Sequence, residues 1–166
     1  MKNSDKFLIG IVTGIVILVI AVLAIALLRP NQPAYQVDDT AEGVAHNYLL
    51  ALQLEDYERA YAYLSPALPG YPEDAETFEK NVVEKPWHFG GSYADNVSLA
   101  IEAANVTGNQ ARIIARKTVF YRAGLFDSGQ SSNTFNMSLR QEGGDWKVME
   151  SDDYWTDCWE SYAGCQ

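Results

Sequence analysis

The chain has 166 residues, of which 48% are hydrophobic and 20% are charged, with two Cys and four Trp. This composition excludes a disordered protein, and the length excludes two full-size domains beside a membrane segment. Residues 1–32 carry a net charge of +2, whereas residues 33–166 carry 9 Lys and Arg against 21 Asp and Glu. Nucleic acid is therefore excluded as a partner, because binding phosphates requires clustered Lys and Arg.

The first predicted element is a membrane span. Phe7–Leu28 is a run of 22 residues without a charged side chain. At ~1.5 Å per residue, such a helix reaches about 33 Å, which exceeds the ~30 Å hydrocarbon core of a bilayer. Lys2 and Lys6 precede the run and Arg29 follows it, so the positive-inside rule favours cytoplasmic residues 1–6. We predict a single-pass cell-membrane protein that contacts the lipid bilayer through residues 7–28, with a periplasmic or extracellular C-terminal domain.

A cleaved signal peptide is the alternative interpretation of the same run. Ala24, Ile25 and Ala26 form a small-x-small triplet of the kind that signal peptidase accepts. The hydrophobic region of a signal peptide is normally ~7–15 residues long, and this run is longer. We therefore favour an uncleaved anchor.

The anchor carries small residues along one stripe, which includes Gly10, Gly14, Ala21 and Ala24. Small residues let two helix backbones approach closely in lipid, where packing drives association. The stripe predicts a contact either with a second copy of the chain or with another subunit. The alternative is that Gly and Ala are simply common in membrane helices.

Cys158 and Cys165 are the only two cysteines. Both fall in the part of the chain placed outside the cytoplasm, where disulfides persist. We predict that they form a short disulfide loop. Two Cys cannot make a four-ligand zinc site, and the only histidines, His46 and His88, are far away in sequence.

Residues 29–39 contain two Pro and no apolar periodicity, and they are predicted to be a linker. The domain predicted for residues 40–166 begins with three helices. Asp39 and Glu42 resemble a capping box for the first helix. Its predicted apolar face consists of Ala41, Ala45, Tyr48, Leu49 and Leu52. The second helix is predicted near Glu55–Leu64 and the third near Ala75–Lys85.

About four strands follow the helices. Val97–Ala103 alternates with period two, and residues 107–110 form a turn signal. Ala111–Arg122 is a long strand candidate, whereas Gly124–Ser132 is polar and predicted to be a loop. The last two strands are predicted to include Phe135–Leu139 and Trp146–Val148. Helices followed by hairpin-linked strands predict an α+β domain, with the helices covering one face of a curved antiparallel sheet.

Two stretches resemble the nuclear-transport-factor-2-like superfamily, a cone-shaped α+β fold with cystatin-like topology. The first is Ala45–Leu52 together with Asp56–Pro66, and the second is Gly144–Val148. The resemblance spans roughly Thr40 to Tyr154 and implies a fold more than an activity. An N-terminal anchor followed by this fold is also the layout of extracytoplasmic accessory proteins in bacterial envelope complexes, including type IV secretion assembly factors and Mce-associated proteins.

Enzymes of the superfamily that this chain resembles, such as ketosteroid isomerases, place an Asp or His base inside the cone. His88 lies between Trp87 and Phe89 and is the strongest candidate for such a base, although a histidine among aromatic residues is more often structural. His46 is predicted on an exposed helix face. Asp56 is interpreted as a solvated acid on a helix surface, and Asp95 is interpreted as a cap before a strand. The sequence contains no motif for a metal or cofactor, so we predict neither.

The tail, residues 150–166, mixes acidic and aromatic side chains. Aromatic residues beside acids can bind cations, sugars or a basic protein surface. Trp155 and Trp159 are therefore candidates for a pocket or partner contact. The favoured alternative is that the aromatic residues pin the disulfide loop onto the domain.

These observations favour a non-catalytic, membrane-anchored extracytoplasmic domain that binds a protein partner, as an accessory or assembly subunit of an envelope complex, or that forms a homo-oligomer. The second hypothesis is a module that binds a small ligand inside the cone. The third is an enzyme whose base in the cone is His88 or an Asp.

Overall fold

The computed structural model describes residues 2–28, 34–90, 96–122 and 128–165, with side chains at residues 10–24, 34–90, 96–121 and 129–165. The chain divides into two compact units, Met1–Ala34 and Tyr35–Gln166. Helix α1, Lys2–Leu28, accounts for the first unit. Parts of the predicted span, residues 7–9 and 25–28, lie outside the residues with described side chains. Within the described portion of the chain, no helix is both long and apolar enough to cross a membrane.

The second unit is an α+β domain. Its helices come first and its strands follow as an antiparallel sheet in the order β1-β2-β3-β4. This arrangement confirms the predicted α+β class with an antiparallel sheet of four strands. The elements are α2 (Ala41–Gln53), α3 (Tyr57–Tyr63), α4 (Ala75–Val83), β1 (Val97–Thr107), β2 (Gln110–Arg122), β3 (Ser128–Glu142) and β4 (Asp145–Ser151), with 3-10 turns at Pro86–His88 and Asp157–Glu160.

The helices begin where a polar side chain accepts a hydrogen bond from a free backbone N–H. Thr40, rather than the predicted Asp39, caps α2 by accepting from the N–H of Gly43 at 3.0 Å. Asp56 and Asp74 cap α3 and α4 in the same way. Such caps satisfy donors that have no partner inside the helix.

The core lies between the helices and one face of the sheet, the inner face. The predicted face of α2 is buried, and so are the alternating apolar residues of β2, β3 and β4. Lys117 also points inward, but its Nζ pairs with Asp153 at 2.7 Å, which compensates the burial of the charge. The inner-face residues are Ala111, Ile113, Ala115, Phe135, Met137, Leu139, Trp146 and Val148.

Strand β3 begins earlier than the sequence predicts. Residues 128–132, assigned to a loop, pair with residues 118–122 of β2. Their side chains are polar and do not alternate, so the periodicity gives no strand signal. The extended backbone of β2 supplies the hydrogen-bond partners instead.

The domain also begins earlier than the predicted boundary, at Tyr35 rather than residue 40. Asn47 is fully buried in α2, and its amide accepts from the backbone N–H of Gln36 and donates to the Gln36 carbonyl. Asn47 also donates to Asp38. The guanidinium of Arg59 lies 3.5 Å from the ring centroid of Tyr35. Residues 35–38 are therefore part of the folded domain.

Two tyrosines near this junction are neutral at physiological pH. Burial and the hydrogen bond from its hydroxyl to Asp56 raise the pKa of Tyr35 to about 12. Burial also raises the pKa of Tyr63, whose hydroxyl donates to Asp38 at 2.9 Å. Both hydroxyls therefore remain hydrogen-bond donors to these carboxylates.

Candidate functional site

The C-terminal tail lies across the connections between the helices and the sheet. After β4, the backbone N–H of Tyr154 donates to the carbonyl of His88 at 3.0 Å. Further along, the carbonyl of Trp159 accepts from the N–H of Gly70 at 2.9 Å. The tail is thus fastened both to the segment between α3 and α4 and to the segment that follows α4.

Three aromatic side chains of the tail fill the interior between the helices and the sheet. Tyr154, Trp155 and Trp159 are all buried, and Trp159 is 0% exposed. The Trp159 ring stacks on Phe78 of α4 at a centroid distance of 5.2 Å and meets Phe89 at 5.7 Å. Trp155 and Trp159, the predicted contact candidates, are therefore placed in the core of the domain rather than on its surface.

Tyr48 links the central helix α2 to the tail. Its hydroxyl donates to the carbonyl of Tyr154 at 2.8 Å, and the side chain is 0% exposed. Burial raises the pKa of Tyr48 well above its ordinary value. The phenol therefore remains a neutral donor to this carbonyl over the whole physiological pH range.

His88 is exposed and holds the tail through its own backbone and ring. Its Nδ1 lies 3.2 Å from the carbonyl oxygen of Trp155, and its carbonyl accepts from Tyr154. A general base of the kind predicted would be buried and would face a second polar side chain. The position of His88 meets neither condition. His46, predicted on an exposed helix face, is half-buried.

Cys158 and Cys165 are bonded to each other, as the sequence predicts. The Nζ atom of Lys85 donates to Cys158 Sγ at 3.0 Å and to Thr156 Oγ1 at 3.2 Å, and it lies farther from Cys165 Sγ, at 3.9 Å. The Thr156 hydroxyl oxygen lies 3.1 Å from the same sulfur. A cation and a hydroxyl that converge on one sulfur would favour its thiolate form after reduction. Lys85 is 73 residues from Cys158, and no sequence pattern connects the two residues.

The small-residue stripe of α1 is exposed. Gly10, Gly14, Ala21 and Ala24 are all exposed, and no heavy atom lies within 4 Å of a Cβ placed on either glycine. A second helix could therefore approach this stripe closely. The helix–helix contact itself stays a prediction.

The exposed aromatic side chains of this region are others than Trp155 and Trp159, whose burial agrees with the favoured alternative that they pin the disulfide loop onto the domain. Trp87 is 79% exposed and Tyr162 is 93% exposed. Val83, at the end of α4, is also exposed. Sequence periodicity could not predict the exposure of these two aromatic residues, because neither lies in a regular helix or strand. Trp87 lies in a 3-10 turn, and Tyr162 lies within the disulfide loop.

Among the described residues, no group of three or more His, Cys, Asp and Glu side chains could hold a metal ion.

Comparisons with known proteins find solved structures that this chain resembles and assign it no activity. No family model matches the sequence, and no curated protein matches it. A cystatin-like-fold protein from Nostoc punctiforme is 16% identical, with 65% of this chain and 82% of that chain covered and a TM-score of 0.44. A nuclear-transport-factor-2-like protein with a cystatin-like fold from Novosphingobium aromaticivorans is 13% identical, with coverages of 66% and 75% and a TM-score of 0.44. A candidate ketosteroid isomerase from Shewanella frigidimarina is 15% identical, with coverages of 68% and 94% and a TM-score of 0.45.

The hydrogen bond between α2 and the tail can be tested by Tyr48→Phe. This substitution keeps the ring but removes the donor to the buried Tyr154 carbonyl, so we expect the free energy of unfolding to fall by about 1–2 kcal/mol. Urea unfolding of the full chain in non-ionic detergent, followed by Trp fluorescence, measures the change. Tyr162→Phe is the matched control and should leave stability unchanged, because Tyr162 is 93% exposed. Equal midpoints for both variants would contradict the role of Tyr48.

The environment of the disulfide can be tested by Lys85→Met, which removes the ammonium but keeps the length of the side chain. In the reduced protein we expect Cys158 to form a thiolate at lower pH than Cys165, because Lys85 and Thr156 face its sulfur. In Lys85→Met, alkylation of Cys158 at neutral pH should slow several-fold. Mass spectrometry of each cysteine across a pH series measures both rates.

The matched control for this experiment is Lys80→Met, since Lys80 is exposed on α4 and pairs with Glu84. Its profile should match that of the wild type. Near-ultraviolet circular dichroism of the reduced proteins reports whether the tail remains packed. If Cys158 and Cys165 are alkylated in parallel in the wild type, the proposed effect of Lys85 is wrong.

Proposed function

We propose that this chain is a non-catalytic, membrane-anchored extracytoplasmic domain that binds a protein partner as an accessory or assembly subunit of an envelope complex. The observation that carries this proposal is the position of the tail. Its aromatic side chains are packed into the core of the domain, whereas a cavity enzyme would need open space beside its catalytic groups. Trp87 and Tyr162, in contrast, present large aromatic surfaces to the outside.

The anchor is supported by the sequence and by the exposure of α1. Phe7–Leu28 contains no charge, and α1 is one continuous helix from Lys2 to Leu28. The large apolar side chains described in α1, from Ile11 to Leu23, are exposed. Keeping such side chains in water instead of an apolar environment costs about 1.5–3 kcal/mol for each one. A bilayer removes this cost.

The orientation is supported by the flanking charges and by the disulfide. Lys2 and Lys6 lie before the uncharged run, which favours a cytoplasmic N-terminus. The Cys158–Cys165 bond fits a domain on the other side, since disulfides persist in oxidising compartments.

A protein partner is supported by the kind of side chain that is exposed. Tryptophan and tyrosine are enriched among the residues that dominate binding energy at protein interfaces. The Trp87 ring is exposed to solvent, whereas Phe89, two residues later in the chain, packs against Trp159. The ring is therefore presented on a segment that is fixed to the core, which lowers the entropy lost on binding.

The small-ligand alternative is favoured by one observation. Trp159 Nε1 is buried and has no hydrogen-bond acceptor among the described residues. A polar atom of a bound ligand would satisfy this donor. The aromatic packing around Trp159 leaves the protein-partner proposal as the better supported of the two.

Anchoring and orientation can be tested together in a bacterial host. The full chain should stay with the membrane after an alkaline carbonate wash, and a variant lacking residues 7–28 should be released. Alkaline phosphatase fused after Gln166 should be active, because this enzyme requires an extracytoplasmic disulfide. A mature chain that begins at Leu27, found by intact-mass measurement, or an inactive fusion would contradict the proposal.

The partner surface can be tested by Trp87→Ala, which removes an exposed aromatic side chain without touching the core. We expect this variant, purified from cells in mild detergent after crosslinking, to lose the bands that the wild type forms with its partner. Phe120→Ala is the control because Phe120 is also an exposed aromatic residue but lies on β2. Recovery of only a monodisperse monomer from the wild type, or equal loss in both variants, would contradict the proposal.

A further inference from the structure

The outer face of the sheet, which points away from the helices, carries two adjacent rows of hydrogen-bonding side chains near the β1–β2 turn. Residues that pair directly across strands lie on the same face. Asn105, Arg112 and Ser138 form the first row across β1, β2 and β3. The second row, two positions along each strand, is Thr107, Gln110 and Arg140.

The two arginines occupy one diagonal of a square on β2 and β3. Diagonal neighbours in an antiparallel pair are about 7–8 Å apart, which is within reach of two long side chains. Gln110 and Ser138 occupy the other diagonal and supply neutral donors and acceptors. Two cations can therefore meet one ligand while the amide and hydroxyl contact it between them.

These residues line a groove with a volume of about 460 Å³. The lining contains two arginines, and Met149 supplies an apolar wall. Two carboxylates adjoin the lining residues without belonging to the lining: Glu142 pairs with Arg140, and Glu150 lies opposite Ser138 on β4. Sites for small molecules commonly have volumes of about 300–1,000 Å³ and a few convergent polar groups. The groove matches both properties, and none of its lining residues belongs to the tail.

Arg140 is held in place by an ion pair with Glu142, whereas Arg112 keeps its donors available. Arg140 Nε donates to Glu142 at 2.9 Å, and Glu142 also accepts from the hydroxyl of Ser65. Arg112 makes no hydrogen bond with the described residues. The charge of Arg112 also acts on Asp152. The pKa of Asp152 is lowered mainly by hydrogen bonds from Asn136, and the charge of Arg112 makes the smallest contribution.

The other cations of the strands with described side chains are engaged. Arg116 pairs with Glu102, Lys117 pairs with Asp153, and Lys147 donates to the carbonyl of Ala62. Arg112 is thus an exposed guanidinium beside a positioned one, in a domain whose residues 33–166 carry 21 Asp and Glu. Charge-assisted pairing with a negatively charged ligand is the chemistry that this arrangement offers.

We propose that this groove binds a small ligand that carries oxyanions, either a polycarboxylate or a phosphate ester, between Arg112 and Arg140. The guanidinium of Arg112 forms the primary ion pair. Arg140, Ser138 and Gln110 bind the remaining oxygens, and Met149 contacts the carbon skeleton. The site is separate from the partner surface of the proposed function and does not depend on it.

The proposal can be tested by titrating the isotope-labelled full chain in non-ionic detergent with citrate or glycerol phosphate at constant ionic strength. We expect saturable shifts of the backbone amides of β2 and β3 around the groove. Arg112→Gln should weaken binding roughly ten- to hundredfold, the effect of losing charge-assisted hydrogen bonds. Ser138→Ala should weaken it less. Preference for citrate identifies a polycarboxylate site, and preference for glycerol phosphate identifies a phosphate-ester site.

Arg116→Gln is the matched control, because Arg116 lies on the same strand and the same face but pairs with Glu102 outside the groove. It should bind either probe as tightly as the wild type. An unchanged far-ultraviolet spectrum and melting temperature will show that each variant is folded. The absence of saturable binding of both probes, or an equal loss in Arg112→Gln and Arg116→Gln, would overturn the proposal.

Discussion

The packing of Trp159 between Phe78 and Phe89 is the interaction on which the rest of the domain depends. It brings the tail against α4 and the segment that follows it, and the Trp159 carbonyl binds the N–H of Gly70. Gly70 has to be a glycine, because a Cβ there would collide with the carbonyl oxygens of Cys158 and Ser161. The close approach of these two backbones sets the position of the disulfide and brings Lys85 to its sulfur.

The same packing determines what the interior can do. Burying three aromatic side chains of this size stabilises the domain by several kcal/mol, since each contributes roughly 1.5–3 kcal/mol. It also holds Trp159 against Phe78 and Phe89 inside the domain. The outside carries the exposed Trp87 and Tyr162 and the arginine groove of the sheet. In an acidic domain, two arginines on adjacent strands offer a defined surface for an anion.

The sequence predicted most of the fold because periodicity and turn signals are local properties. The apolar face of α2, the β1–β2 turn and the disulfide were all read correctly from short stretches. The errors arose where a distant partner decides the outcome. Residues 128–132 become a strand because β2 provides their partners, and residues 35–38 join the domain because the buried Asn47 binds them. Thr40 replaces Asp39 as the cap because its extended backbone places its hydroxyl oxygen beside the N–H of Gly43.

The sequence alone determined an uncharged run long enough for a bilayer, an acidic α+β domain and a short cysteine loop, since charge, length and alternation are written in neighbouring residues. Only the tertiary structure decided between the two interpretations of Trp155 and Trp159, in favour of the core, and it alone showed that His88 is exposed and that Lys85 faces Cys158. It also decided that Arg112 and Arg140 share a groove. The physical reason is that each of these facts depends on how strands align and on which surfaces meet, and such contacts join residues that are far apart in the chain.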